Sequence, residues 1–265
     1  MTLKQNLKFI GLLVRIKLAR TMAFRASFFG AFIADGTNLI VQILTFSVIY
    51  GQVDSIGDWN QGQMIIFVGT FSLIGSLELI FFWYGVRRIT GYIRDGGLDH
   101  YLTKPGNALL RLSLEETNLG SVPLVLLSGL IVAWGLSIEG VQVTPPLILG
   151  YSVMVLLMTL LWYDLEIIWR TISFFTVSAN ALHRLEDDIF ALNFRVPGVL
   201  YKGFFKVVFY FILPYGIMST VPTQVLTNTL TLPGLIHALC VVAGFTAITF
   251  WFWQFGLKHY KSASS

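Results

Sequence analysis

Long apolar stretches of helical length alternate with short polar segments along most of this chain. Six of them come near or exceed the length of about 20 residues that a helix needs to cross the hydrocarbon core of a bilayer. We predict transmembrane helices over about 28–50, 64–84, 119–136, 147–170, 204–218 and 235–257. Aromatic residues lie near several of the predicted ends, as in the aromatic belts of membrane proteins: Tyr50, Trp59, Trp83, Tyr84, Trp134, Tyr201, Trp251 and Trp253. The pattern predicts an all-α integral membrane protein with about six transmembrane helices.

The first 25 residues follow a different pattern. Apolar residues recur there at helical spacing and basic residues fall mostly off that stripe, which is typical of an amphipathic helix lying in the membrane interface. The apolar positions are Leu3, Leu7, Ile10, Val14 and Leu18, and the basic ones are Lys4, Lys8, Arg15 and Lys17. A solvated helix packed on another subunit is the alternative. We therefore divide the chain into an interfacial helix, 1–25, and a single transmembrane domain, 26–265, since no internal repeat or linker interrupts it.

Charge is distributed unequally between the predicted loops. Segments 51–63, 137–146 and 219–234 contain no lysine or arginine and hold Asp54, Asp58 and Glu139. The cations collect in the first 25 residues, in the loops after the second and fourth spans and in the tail: Lys4, Lys8, Arg15, Lys17, Arg20, Arg25, Arg87, Arg88, Arg94, Lys104, Arg111, Arg184, Arg195, Lys202, Lys206, Lys258 and Lys261. Because cytoplasmic loops carry the excess of basic residues, both termini are predicted to be cytoplasmic.

Composition agrees with a membrane protein. Only 12% of the residues are charged, whereas soluble domains carry about 25%. The net charge of +4 follows from the basic cytoplasmic loops, so it does not indicate a nucleic-acid partner. Cys240 is the sole cysteine and permits no internal disulfide.

The sequence contains no pattern for soluble-type chemistry. It has no G-x-x-x-x-G-K-[ST] loop for nucleotide and no G-x-S-x-G nucleophile elbow. The four histidines, His100, His183, His237 and His259, are too scattered for a metal site or for a membrane enzyme acting on lipid. We predict no catalytic, cofactor or metal residue, and so no enzyme.

Polar residues within the predicted spans are the first candidate site. Asp35, Asn38 and Gln42 recur at spacings of three and four, so they share one face of the first helix. Glu78 lies inside the second span. Such groups line a pathway or join helices together, and the sequence leaves both roles open. Their largely acidic character would suit a cationic or zwitterionic substrate.

Three more ionisable residues, Asp164, Glu166 and Arg170, lie along the fourth span. Glu166 and Arg170 have the i,i+4 spacing of a helical ion pair. If the span ends near Trp162, all three are at the cytoplasmic surface, and if it extends past Phe175 they are buried. The sequence does not decide between these alternatives.

The second candidate site is the cytoplasmic segment 94–107, R-D-G-G-L-D-H-Y-L-T-K-P-G-N, which follows the second span. We expect Gly96 and Gly97 to make a sharp turn, Asp99 to cap a very short helix and Pro105 to end it. The product would be a rigid knob, residues 97–107, with Leu98, Tyr101 and Leu102 facing outward. An ordinary turn between two spans is the alternative.

This segment resembles the G-x-L-D-x-x-L-x-[KR]-P-x-N signature of a branch of ABC type-2 transporter permeases. The matching positions are Gly97, Leu98, Asp99, Leu102, Lys104, Pro105 and Asn107. Further similarities follow in the same order as in that branch: Arg195, Pro197 and Tyr201 as R-x-P-x-x-x-Y, Pro214, Pro222 with Leu226 as P-x-x-x-L, and the ending G-L-K-H-Y-K-S-A-S-S at 256–265.

The resemblance implies the architecture of an ABC type-2 exporter permease in a bacterial plasma (inner) membrane. Two separate ATPase subunits would hold ATP and Mg, and a second permease chain, identical or paralogous, would complete the pathway for an amphipathic substrate. The coupling helix would lie in the cytoplasmic loop 85–118, with Gly97, Leu98, Asp99, Tyr101, Leu102, Lys104, Pro105 and Asn107 contacting the ATPase. An ATP-independent secondary transporter or channel is the alternative, although the inverted repeats of many such proteins are not evident.

Two further segments carry expectations. The stretch 174–205, with His183, Arg184, Glu186, Asp187 and Asp188, is either a second cytoplasmic contact or a solvated charge run. The neutral segment 219–234 is too apolar for a solvated loop, and we expect a short re-entrant or interfacial element there.

Overall fold

The computed structural model of the chain describes residues 25–176 and 180–260. The predicted interfacial helix, apart from its last residue, and the last five residues of the chain lie outside the described residues. Within them the chain is helical, and one isolated β-bridge joins Ile56 and Trp59.

Twelve α-helices occur in the described residues, and five of them are long and apolar enough to cross a membrane. In chain order they are α1 Arg25–Tyr50, α2 Gln61–Phe81, α3 Trp83–Arg94, α4 Asp99–Leu102, α5 Ala108–Leu114, α6 Val122–Glu139, α7 Pro145–Thr171, α8 Asn180–Arg195, α9 Gly203–Val207, α10 Tyr215–Met218, α11 Thr220–Leu226 and α12 Leu232–His259. The five long apolar helices are α1, α2, α6, α7 and α12, which cover the first four and the last of the predicted spans.

Helix α2 lies at the centre of the bundle and packs closely on α6. Small residues permit this approach, because a Cβ atom added at Gly69 would lie 2.9 Å from a methyl of Val132. One added at Gly135 would lie 2.7 Å from the Ile66 side chain. Without a hydrophobic force between helices in lipid, such close backbone packing is a main source of association.

Helix α8 follows α2 from one end of the bundle to the other, although its sequence is too charged to suggest a span. Near its start His183 lies 3.4 Å from Thr90 of α3, and Asp187 at its middle pairs with Arg87 of α3. Further along, the Phe190 ring lies 5.2 Å from that of Phe71 in the middle of α2. Beyond its end, Leu200 reaches Gly57 in the loop between α1 and α2. We refer to these two ends of the bundle as the knob end and the Gly57 end.

The course of α8 corrects the grouping of cations made from sequence. Arg195 is the last residue of α8, and Lys202 and Lys206 follow Leu200. These three residues therefore lie towards the Gly57 end, whereas Arg87 and Arg94 lie at the knob end. A helix of 16 residues is about 24 Å long, enough to carry its two ends to opposite sides of the bundle.

The predicted fifth span over 204–218 is broken in the described chain. Helix α9 continues as a π-helical turn, Val208–Ile212, and the chain then bends by 78° into α10 and α11. Pro214 is the cause, since it lacks an amide donor and disfavours helical geometry in the residue before it. Leu213 accordingly has φ −129° and ψ 75°.

The limb after this bend is buried rather than solvated. Ser219 donates a hydrogen bond of 2.6 Å to the carbonyl of Phe67 in α2, and Leu226 packs with Ile66 and Val132. Segment 219–234, for which we expect a short re-entrant or interfacial element, thus contains a short buried helix, α11.

Candidate functional site

The knob is a four-residue helix held between two glycine turns. Gly96 and Gly106 have φ values of 76° and 113°, which favour glycine because other residues rarely adopt them. Between these turns, α4 places Leu98 and Tyr101 in an apolar cluster that also includes Trp253 of α12. The knob therefore shares one apolar cluster with the last transmembrane helix.

The structure corrects two expectations about the knob. Leu98 and Tyr101 face inward, with 0% and 7% of their surface exposed, and only Leu102 of the three predicted outward residues is well exposed, at 41%. A helix of one turn has one apolar face, and here that face covers the cluster. The N-cap position belongs to Leu98 and not to Asp99, which is the first helical residue.

Asp99 contacts the end of α12 instead. Burial and the neighbouring Asp99 carboxylate raise the pKa of Tyr260, which follows α12. Tyr101 forms a second polar contact, because its hydroxyl donates to the carboxylate of Glu115. Burial and this hydrogen bond raise the pKa of Tyr101, so its phenol keeps the proton that it donates. Both contacts fix the knob to the rest of the chain.

The outer surface of the knob, from Leu102 to Asn107, is exposed. Arg111 donates a hydrogen bond of 2.8 Å to the carbonyl of Pro105. The side chain of Asn107 caps α5 by accepting from the amide of Leu110 at 3.1 Å. Lys104 lies beside His100 of α4. The exposed surface is thus held in one shape from both sides.

A polar groove of about 580 Å³ lies between α1, α2 and α8. Asp35, Asn38 and Gln42 all line it, as their spacing predicts. Gln42 is itself buried and donates a hydrogen bond of 3.1 Å to the carbonyl of Phe194 in α8. Gln42 therefore joins two helices, whereas Asp35 and Asn38 remain more open to the groove.

A cluster of buried charges lies at the junction of α2, α7 and α8. Arg170 donates to Glu166 at 2.9 Å and to Glu186 of α8 at 2.6 Å, and both Arg170 and Glu166 are 1% exposed. The predicted i,i+4 ion pair is confirmed. These residues are buried because α7 continues to Thr171 and extends as a 3-10 turn to Phe174.

Two other predicted residues belong to the same cluster. Asp164 accepts a hydrogen bond of 2.5 Å from Thr246 of α12. Glu78 of α2 is 0% exposed, and neither of its carboxylate oxygens has a hydrogen-bond partner among the described residues. Glu166, Asp164 and Glu186 are all near enough to interact electrostatically with it. We call Glu78, Asp164, Glu166, Arg170 and Glu186 the carboxylate cluster.

Sequence reasoning missed the roles of Glu186 and Thr246. Glu186 was grouped with a surface charge run, but it is 2% exposed and bound to Arg170. Its charged neighbours Arg184, Asp187 and Asp188 are exposed. No local signal indicates Thr246, because its partner Asp164 is 82 residues away.

The predicted site residues thus form three separate groups: the knob, the polar groove and the carboxylate cluster. Among the described residues, no three or more His, Cys, Asp or Glu side chains are arranged to hold a metal ion. The groups offer a protein-contact surface, an open cleft and a buried charge network.

These features are those of a membrane-embedded transporter subunit built only of helices. A family model described as ABC-2 family transporter protein matches residues 37–264, which is most of the chain. The chain therefore belongs to the ABC-2 family of transporter membrane proteins, and the predicted resemblance and the predicted fold class, an all-α multi-pass membrane protein, are confirmed. No curated protein and no solved structure matches the chain.

Proposed function

We propose that this chain is the permease subunit of an ATP-driven exporter of an amphipathic substrate. Two separate ATPase subunits, which carry ATP and Mg, would drive the transporter. One of them would dock on the knob of this chain. The observation that carries this proposal is the construction of the knob. It presents Leu102 and a fixed exposed surface on one side, and its other side is packed into the end of the transmembrane bundle.

The knob has the connections that such coupling requires. Leu98 and Tyr101 share an apolar cluster with Ile167 of α7 and Trp253 of α12. Movement of a docked ATPase would therefore act on two long helices at once. Because protein interiors are closely packed, the helices are expected to switch between two rigid arrangements and not to deform gradually.

Our proposed topology has six crossings, with α8 as the fifth and residues 203–226 as a hairpin that enters the membrane from the Gly57 end. The contacts of Asp187 with Arg87 and of Leu200 with Gly57 support the crossing. The 78° bend and the buried α11 support the hairpin. The knob and both termini would then be cytoplasmic, in a bacterial plasma membrane.

The polar groove is the proposed wall of the substrate pathway, and a second permease chain would supply the other wall. Polar groups line it amid apolar ones, which suits an amphipathic substrate: Asp35, Asn38, Ser72 and Ser76 alternate with Leu39, Phe46 and Phe71. The exposed apolar residues on the rest of α1, such as Ile33, Ile40 and Leu44, leave ample surface for lipid or a second chain.

The test is capture of the ATPase by the tagged full-length chain from gently solubilised membranes. We compare wild type with Leu102→Glu and with Leu110→Glu, because both leucines are 41% exposed but only Leu102 lies on the knob. We expect an ATPase carrying a nucleotide-binding loop to co-purify with wild type and Leu110→Glu, and Leu102→Glu to lose it while eluting as a folded protein.

Equal capture by Leu102→Glu would mean that the knob is not the docking surface. Absence of any ATPase from the wild-type sample in several mild detergents would favour the alternative, an ATP-independent transporter or channel.

A further inference from the structure

Glu78 is the carboxyl group of the cluster that has no compensation. It is fully buried on α2, and within 25–176 and 180–260 neither of its oxygens has a hydrogen-bond partner. An ionised carboxylate in such a place is far more costly than the neutral acid, and buried acids without a partner take up a proton instead. Glu166 differs, since it is bound to Arg170.

The surroundings of Glu78 oppose its ionisation further. The titratable groups that interact with it are Glu166, Asp164 and Tyr163 of α7 and Glu186 of α8. The cluster as described holds four carboxyl groups and one guanidinium. That of Arg170 is already bound to two of the carboxylates. Ionised Glu78 would therefore add a like charge to an arrangement that has no free cation.

Ionisation of Glu78 would affect α8, because Glu186 of the carboxylate cluster lies on that helix. The bond between Arg170 and Glu186 ties α8 to α7, and the next residue of α8, Asp187, pairs with Arg87 and ties α8 to α3. Repulsion between an ionised Glu78 on α2 and Glu186 on α8 would act across this same junction and push α8 away.

We propose that Glu78 is a proton-binding site, occupied while α8 is docked against α2 and α7, and that loss of this proton loosens α8. Docked α8 binds the proton more tightly than released α8, so by linkage the two equilibria are coupled. Phe190 and Phe194 of α8 line the polar groove. Proton occupancy would therefore bias the shape of the pathway, a consequence that rests on the proposed function.

The first test asks whether the proton is present. Infrared difference spectra of the full-length chain in nanodiscs near neutral pH compare wild type with Glu78→Gln. We expect Glu78→Gln to lose a C=O band of a protonated carboxylic acid, and the exposed α8 variant Asp188→Asn to retain it. Loss of a carboxylate band instead would show that Glu78 is ionised, which overturns the proposal.

The second test asks whether the proton holds α8. Hydrogen exchange of amides 180–195 is compared between wild type and Glu78→Gln at the same pH. The intrinsic exchange rate of each amide is then equal in the two proteins, so a difference reports the opening of α8. At mildly acid pH the exchange rates of wild type and Glu78→Gln should be equal. As the pH rises, exchange in wild type should exceed that of the variant by up to about tenfold per pH unit, the limit for release of one proton.

Glu78→Met is a second neutral variant, and it lacks the side-chain amide that Glu78→Gln introduces. If the effect comes from removing the ionisable group and not from that amide, Glu78→Met should behave like Glu78→Gln. If both variants loosen α8 at every pH, an ionised Glu78 is needed for folding and the proposal is wrong. If all three proteins exchange alike at every pH, Glu78 does not hold α8. Neither test involves an ATPase, so its outcome is independent of whether the proposed docking at the knob stands.

Discussion

The knob and the carboxylate cluster differ in how their polar groups are satisfied. The knob is built mostly by neighbours in sequence: Arg111 bonds to Pro105, Asn107 caps α5, and Tyr101 bonds to Glu115. The cluster is built by residues from three helices, α2, α7 and α8, and its members Arg170 and Glu186 are 16 positions apart. The knob therefore has a shape that local chemistry determines, whereas the cluster depends on how the helices are arranged.

The two regions also differ in what a small disturbance would do. The exposed side of the knob can change without removing any buried contact. In the cluster, Glu166 and Glu186 rely on the same partner, Arg170, so one change leaves uncompensated charge in a dry site. The knob is thus suited to constant contact with a partner, and the cluster to switching between two arrangements.

The largest expected effect follows from removing the shared cation. Arg170→Met should destabilise the folded chain by about 3–5 kcal/mol, because Glu166 and Glu186 would lose their counter-charge in a buried site. Thermal unfolding in detergent, followed by loss of the monodisperse elution peak, measures this.

A matched triple variant sharpens the result. Glu166→Met, Arg170→Met and Glu186→Met together replace the whole network by apolar side chains, which commonly costs little or even stabilises. We expect the triple variant to regain most of the stability lost by Arg170→Met. A triple variant as unstable as the single one would mean that the cluster contributes specific structure rather than charge balance.

The sequence predicted one half of this cluster for a physical reason. Glu166 and Arg170 lie on one helix, so their spacing alone predicts their contact. Glu186 joins the cluster only because α8 returns along α7. Residues 180–195 are too charged for hydropathy to predict that course. The apolar stretch 204–218 predicts a fifth span there, but the chain bends by 78° at Pro214.

The second largest effect separates the two faces of the knob. Leu98→Ala should cost about 2–5 kcal/mol, as for other fully buried leucines, because it removes a side chain that is 0% exposed. Leu102→Ala should change the stability by no more than about 0.5 kcal/mol, since exposed positions tolerate truncation. Thermal unfolding of both variants in the same detergent measures the difference.

Similar losses of stability for both leucines would contradict the inward orientation of Leu98.

That orientation could not be predicted from residues 94–107 alone. Leu98 belongs to an apolar cluster that includes Trp253, which comes from the other end of the chain. The family signature carries no information about which of these residues face the transmembrane bundle.

The smallest expected effect is local and tests whether the shape of the knob depends on its own hydrogen bonds. Asn107→Ala removes the side chain that accepts from the Leu110 amide at the start of α5, and loss of such a cap costs about 1 kcal/mol. Hydrogen exchange should increase within 107–114 and remain unchanged in α8. Asn107→Asp retains an accepting oxygen and should restore protection. Faster exchange in α8 as well would mean that the knob and the carboxylate cluster form one cooperative unit, and the contrast between a locally built contact surface and a network shared by several helices would not hold.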